Sequence, residues 1–448
     1  MDKRTLPPGP PLKLLQTYLY LRDAYGYLAK TRDKYGDPFT ADVVNGVVVM
    51  TGTPAGAQQI YGADPDTYLP FGTEAMRPLL GDSSIFMLIG QRHRRERKLL
   101  MPSFHGDRMR AYGETIRRSA LAAADRWPKG QVFTFQDSSQ WISLDVIIRA
   151  VFGVVDDARV ETYRAAILEF VAAAVPSVLF FPFLQRPFLG RGPWVRLQRA
   201  RQRGDFLISA ALAARRSRPE EAGEDILSLM LRARHEDGSA MTDAEIRDEL
   251  VTLLFAGHET TGIALAWAIY WILRDRQVLA RLLAELDAAG ERPEPEAIVR
   301  LPFLDAVTHE TLRLYPIAPD GPRTLARPLE VGGYTLPPGA CVAVAHWLIH
   351  SDPKLYPEPN KFRPERFLGR KFGPFEYVPF GGGHRRCLGA AFATYELKIV
   401  LATLLRNFRL ALAEPGEVRP GRRNVVLGPS TGTRVVHVGP RRAGDPPV

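Results

Sequence analysis

Residues 380–389 read FGGGHRRCLG and place one cysteine, Cys387, behind three glycines and two arginines. Glycines let a chain turn tightly and bring its N–H groups close to a bound atom. Arg385 and Arg386 supply positive potential, which lowers a thiol's pKa from about 8.5. Such a sulfur suits a metal ligand or a nucleophile. A nucleophile needs a base within hydrogen-bond reach; His384 is close in sequence, but sequence does not place its ring. A ligand needs only the charge, a cradle of N–H groups and an apolar lid, which Phe380 can supply. The plainer reading is a buried structural cysteine beside a glycine-rich turn.

The fixed positions are Phe380, Gly383, Arg385, Cys387 and Gly389, spaced F-x-x-G-x-R-x-C-x-G. This spacing resembles the cysteine-ligand loop of the cytochrome P450 family, in which haem iron takes a single protein thiolate that favours O–O cleavage. The resemblance implies haem b (iron protoporphyrin IX) as cofactor and Cys387 as its metal ligand, with Phe380, Gly383 and Gly389 forming the binding loop.

Three further segments test that idea. ETLR at 310–313 sets Glu310 and Arg313 three apart on one helix face, which alone would read as a surface pair. PERF follows at 364–367, and the resemblance implies that Arg366 joins them in a buried network behind the haem; each charge must then be paired. AGHETT at 256–261 lies in a long apolar run. On a helical period Ala256, Gly257 and Thr260 share a face while His258 points nearly opposite, so the small residues would make room for a ligand. By resemblance Ala256 borders the haem, and Glu259 and Thr260 are the catalytic acid–alcohol pair over its distal side. HRRER at 93–97 stacks His93 and Arg97 on a helix. Carboxylates are held best by charge-assisted donors, and the resemblance assigns the haem propionates to His93, Arg97, Arg323 and Arg385. Arg92, Arg94, Arg95 and Lys98 read as a solvated basic face.

Composition is ordinary for a globular chain: 448 residues, 46% hydrophobic and 24% charged. Cys341 and Cys387 give no disulfide framework, and Cys341, in the run ACVAVA, reads as an inert strand residue. LPPGPP at 6–11 resembles the hinge that follows the membrane anchor of microsomal relatives, but only five residues precede it. A spanning helix needs about 20 apolar residues, so no transmembrane anchor is expected, nor a secretory signal, and the location is expected to be cytoplasmic. Leu250 to Leu273 is long enough to span, yet His258 and Glu259 fall near its middle, where ionisable groups are costly; a buried central helix is expected instead. Prolines break the Phe-rich run VLFFPFLQRPFL at 178–189, which is expected to line or cover a substrate entrance.

The net charge of +10 raises a nucleic-acid hypothesis, but no zinc spacing, recognition helix or RNA-binding aromatic motif accompanies it. A basic surface around the cysteine loop suits an acidic redox partner, with Arg386, Arg92 and Lys98 as candidate contacts.

Phe39 to Thr51 alternates around Asn45-Gly46, a hairpin signal. Helical patterns cover 107–127, beginning at a possible Asp107 cap, then 157–174, 194–216, 242–273, 276–289, 302–314 and 390–405. The last begins just after Cys387, where its dipole favours negative charge. Short strands are expected at 329–336 and 340–345. The fold class is therefore mainly α with a small β region, one domain over 1–448 with a proline-rich segment at 1–11. By resemblance it is the P450 fold, with haem between the central helix and the cysteine loop.

The expected function is a monooxygenase inserting one atom of O2 into an apolar compound. No flavin or nicotinamide fingerprint is present, so electrons should come from outside, from a ferredoxin and its reductase; a monomer is expected. Pocket candidates by family position are Phe71, Met76, Phe86, Met87, Leu253, Ile317 and Ala318, all apolar, so the substrate should be too; a fatty acid, terpenoid or polyketide would fit. Leu253 and Ile317 read equally well as core. Two alternatives stand: a non-catalytic haem-thiolate sensor, which would not need Glu259 and Thr260, and a peroxide-driven oxygenase, whose relatives lack that pair.

Overall fold

The computed structural model describes residues 6–44, 46–69, 72–104, 108–175, 184–187, 190–218, 223–414, 416–423 and 426–447. The longest element is the central helix Asp243–Arg274, whose 32 residues run about 48 Å. Its start is locally encoded: the Thr242 hydroxyl accepts from the Glu245 amide, and the Glu245 carboxylate accepts from the Thr242 amide at 2.8 Å. Asp243 and Glu245 add negative charge to the first turn, where the helix dipole favours it. The helix is long and apolar enough to cross a membrane, but most of it is buried inside the protein. Around it pack the helices Phe135–Phe152, Pro302–Leu314 and Ala390–Asn407, which share one continuous apolar core with it.

Glycine sets how closely two of these helices approach. A Cβ on Gly262 would lie 2.9 Å from the Gln140 Cα, and the Ser139 hydroxyl donates to the Gly262 carbonyl at 2.7 Å. Phe135–Phe152 therefore lies directly on the central helix.

The β region is a five-stranded mixed sheet ordered Phe39–Val43, Gly46–Thr51, Cys341–Ala345, Asp320–Leu325, Tyr68–Leu69. Gly46–Thr51 runs parallel to Cys341–Ala345, pairing Val48 with Cys341. A separate apolar core of Val49, Ile60, Tyr61, Val342, Val344 and Val378 joins this sheet to the helix Pro54–Gly62. The expected 329–336 strand is a small hairpin, Leu329–Val331 with Tyr334–Leu336. Cys341 is a buried strand residue, its thiol pushed up to about 12 by burial.

Most expected helices appear within two residues of their limits: Asp157–Ala173, Pro193–Ser217, Arg276–Ala288 and Pro302–Leu314 among them. Arg108–Ala124 is also helical; Asp107, its expected cap, lies outside the described residues, as do Asn45, Phe71 and most of 178–189. Several elements were not expected, among them two helices and a three-stranded sheet. Phe135–Phe152 is buried on most of its circumference, so it carries no polar stripe to betray its period. The N-terminal helix Lys13–Arg22 faces its leucines outward. The strands Phe408–Leu412 and Arg434–Pro440 pair with each other and, through the latter, with Val132–Thr134, far away in sequence.

Candidate active site

The cysteine loop is pinned against the helix Pro54–Gly62. The Cys387 amide donates to the Phe380 carbonyl at 3.0 Å, and the Arg386 amide to Gly383 at 3.1 Å. Gly381 and Gly383 hold positive φ, 66° and 65°, where side chains are disfavoured. A Cβ on Gly383 would fall 2.3 Å from the Tyr61 carbonyl oxygen, and one on Gly382 would enter the Tyr61 ring. These glycines thus serve the approach to Tyr61. Gly389 differs: its φ is ordinary at −85°, and an added Cβ would meet no protein atom within 4 Å. It caps the helix Ala390–Asn407, and its N–H favours charge on the Cys387 sulfur.

Cys387 lies deep in the fold yet keeps accessible surface, as a sulfur at the floor of a recess does. The arginine neighbours do not set its charge as expected. Burial pushes the thiol up and outweighs the Gly389 N–H, Arg386 and Arg97, which pull it down. A coordinated metal ion deprotonates a thiol outright, so the site is suited to a ligand cysteine and poorly suited to a free thiolate.

Arg385 turns away from the sulfur. Its guanidinium donates to the Ile85 carbonyl at 3.4 Å and to that of Leu88, while its buried Nε has no partner. Around it gather Arg97, Arg323, His93 and His384. The His384 ring stacks on Tyr68 and meets the buried His93 edge-on, each at 5.8 Å. Arg323 lies over the Tyr61 ring at 5.6 Å. Burial first, then Arg323 and Arg97, bring Arg385 down to about 10. Burial and the neighbouring cations bring His93 down to about 3, so both histidines here are neutral donors at pH 7. Among the described residues no carboxylate pairs with Arg97, Arg323 or Arg385. Half-buried charge of one sign without its counter-ion is unfavourable, and this donor set fits a dianionic group lying against Cys387. The two propionates of haem are such a group.

A second arginine cluster is complete. Arg313 clamps Glu310 through Nε and Nη2 at 2.6 and 2.8 Å and gives Nη1 to the His350 carbonyl at 2.7 Å. Arg366 reaches the same carboxylate at 3.1 Å, and the Arg363 amide adds a bond at 2.9 Å. Glu310 and Arg313 are fully buried.

On the central helix the Thr260 hydroxyl donates to the Ala256 carbonyl at 2.7 Å, with Glu259 half-buried beside it. His258 turns away and is held by the Leu254 carbonyl at 2.9 Å. Gly257 does not widen the ligand side as expected. A Cβ there would meet Ile147 at 3.2 Å, so its missing side chain admits the helix Phe135–Phe152 instead.

The pocket candidates separate. Met76 and Met87 pack in one cluster with Phe170 and Phe255, two residues that sequence did not suggest. Leu253 and Ile317 border the main core. Phe86 is half exposed, and Ala318 is exposed with its carbonyl on the His346 ring at 3.0 Å. Arg92 and Lys98, expected to meet a redox partner, are paired with Glu245 and Glu236. Arg386 is exposed and faces no carboxylate among the described residues. Sequence also passed over Glu96, three residues after His93 on the same buried face. Its carboxyl, 3.6 Å from His235, is raised to about 7 by burial and then by Glu245.

The family model for cytochrome P450 matches residues 7–434. The chain belongs to the cytochrome P450 family. Cytochrome P450 135B1 of Mycobacterium tuberculosis is 36% identical over 437 residues, 96% of this chain and 91% of that one. Cytochrome P450 138 of the same organism is also 36% identical, over 96% of both chains. Among solved structures, the retinoic acid-bound cyanobacterial CYP120A1 superposes with a TM-score of 0.83 at 26% identity, covering 96% of this chain and 99% of its own. The cytochrome P450DA haem domain shares the fold at a TM-score of 0.84 and 24% identity, over 98% of this chain and 99% of its own. This P450 is accordingly an oxidoreductase of the haem monooxygenase class.

Proposed function

We propose that the chain uses haem b, ligated by Cys387, to insert one atom of O2 into an apolar organic substrate by hydroxylation or epoxidation. The observation that carries this reading is the pairing of a deep-set cysteine with half-buried arginines that meet no carboxylate among the described residues. When bound, the haem supplies the redox-active iron at which O2 is activated. Arg97, Arg323, Arg385 and His93 hold its carboxylates, and Gly389 leaves space beside the sulfur. Phe380 and Ala256 are assigned to its two faces.

Glu259 and Thr260 are assigned to proton delivery. A hydroxyl donates one hydrogen bond at a time, so Thr260 must release the Ala256 carbonyl to donate toward the haem side. Glu259, the adjacent acid, replaces the proton. The Met76–Met87 cluster with Phe170 and Phe255 supports a fatty acid, terpenoid or polyketide, and the retinoic acid bound by CYP120A1 is of the same apolar kind. Ferredoxin and its reductase are the proposed electron donors, with Arg386 at their docking face. The protein is proposed to act as a monomer in the cytoplasm.

Thr260→Ala tests the catalytic part. Haem content and first reduction should stay as in the wild type. Product per electron should fall and hydrogen peroxide rise, since a positioned proton donor is worth about 10²–10⁴ in rate. Unchanged coupling would remove the relay role. Wild-type protein yielding no oxygenated product from a broad apolar panel would favour the sensor reading.

A further inference from the structure

The helix Lys13–Arg22 is amphipathic in the reverse sense. Its uncharged polar side chains face the protein, while Lys13 and Arg22 are exposed: buried Gln16 donates to the Pro10 carbonyl at 2.7 Å and accepts from the Tyr27 hydroxyl and the Asp42 amide, each at 2.9 Å. Thr17 accepts from the Val44 amide at 3.0 Å. Tyr20 turns in to Asp320, but the other apolar side chains face out: Leu14, Leu15, Tyr18, Leu19 and Leu21, with Leu12 just before them, are 40–78% exposed. A surface helix of a globular domain turns its apolar stripe inward.

A groove of about 820 Å³ opens between this helix and Ala24–Tyr35. Leu15 and Leu19 line it, together with Tyr25 and Trp347, whose rings stack at 4.9 Å. Among the described residues that line it, the exposed cations are Arg22, Lys30, Lys34 and Arg419, against one acid, Asp23, whose carboxylate accepts from the Gly26 amide. The patch is thus apolar at its centre and cationic at its border.

We infer that this face docks on an anionic phospholipid surface, the leucines and Tyr18 entering the headgroup–acyl boundary and the border cations meeting lipid phosphates. Apolar side chains bordered by cations are held at that boundary by their buried area and by attraction to anionic lipid. A second copy of the chain fits worse, because a two-fold contact sets a patch against itself and would place these cations face to face. A fluid apolar layer also needs no hydrogen-bonding groups to fix its register, and the exposed leucines offer none. The contact is peripheral and does not depend on the proposed substrate.

The test is flotation of the full-length, haem-loaded protein with vesicles of phosphatidylcholine, alone or mixed equally with phosphatidylglycerol. The wild type should bind the mixed vesicles, less so at high salt, and bind the neutral ones weakly. L14D with Y18D should cut binding to the mixed vesicles by about tenfold or more, the order expected for withdrawing buried apolar side chains. K30A with K34A should weaken only the anionic case, by about fivefold per lysine. All four positions are exposed or border the groove, so haem absorption and melting should match the wild type in both variants. Wild type that fails to float with either vesicle, or an L14D/Y18D variant that floats as well as wild type, overturns the inference. A concentration-dependent dimer in ultracentrifugation that L14D/Y18D abolishes also overturns it and assigns the face to a second copy.

Discussion

The arginine cluster around Glu310 and the one around Arg385 differ in what completes them. Around Glu310 every strong donor has an acceptor: one carboxylate takes Arg313, Arg366 and the Arg363 amide, and backbone carbonyls take the remaining arginine nitrogens. Around Arg385 the guanidinia of Arg97 and Arg323 raise one another's cost, the Arg385 Nε has no acceptor, and no carboxylate pairs with the three among the described residues. The first cluster is complete as folded protein. The second becomes complete only with an anion supplied from outside the chain. Identical side chains therefore separate into structure and binding site by their counter-ions.

The largest expected effect breaks the complete cluster. Glu310→Ala leaves Arg313 and Arg366 buried without an acid, at about 3–5 kcal/mol, and should lower the melting temperature of protein prepared with or without haem. Melting equal to wild type in both preparations would show that backbone carbonyls suffice to hold the two arginines.

An intermediate effect, of opposite pattern, is expected in the open cluster. Arg385→Met removes a half-buried cation that no carboxylate meets among the described residues, so the haem-free protein should melt no lower than wild type. Haem should be lost about tenfold or more faster to an apomyoglobin trap, a charge-assisted bond being worth about 1.5–3 kcal/mol. A variant that loses haem-free stability but retains haem would reverse the assignment of the two clusters.

The narrowest effect, confined to alkaline pH, comes from an acid that no cation meets among the described residues. Glu396, on the helix after Cys387, is fully buried, and burial raises it to about 8 against the pull of its Ser143 hydrogen bond. Its folded pKa exceeds the usual value near 4.5. Its contribution is therefore complete below that value and is lost as pH rises through about 8. Glu396→Gln, which cannot ionise, should melt close to wild type at pH 5 and above it at pH 9. Parallel melting curves across that range would mean that Glu396 keeps its charge when buried.

Sequence made these clusters legible to different degrees. Glu310 and Arg313 are one helical turn apart, so their adjacency is local, whereas Arg366 could be added only through family resemblance. The cations of the open cluster come from three separated segments, and their lack of acids is visible only in three dimensions. The glycines of the cysteine loop show the limit most clearly. Their tight turn was readable, but its cause is Tyr61, more than three hundred residues earlier. Gly257 likewise looked like space for a ligand and proved to be space for a helix. The arginines beside Cys387 suggested a lowered thiol, and the burial that reverses the shift has no sequence signature.

The parallel pairing of Val48 with Cys341 joins positions nearly three hundred residues apart. At about 5–20 residues per second of synthesis, the segment GVVVMT at 46–51 leaves the ribosome on the order of 15–60 s before its inner partner strand exists. During that interval it presents a β-branched, uncharged edge of the kind that recruits other chains. The first hairpin of this protein is thus a nascent-chain hazard whose remedy is encoded in the last quarter of the message, and a polypeptide stalled before residue 341 would keep that edge open.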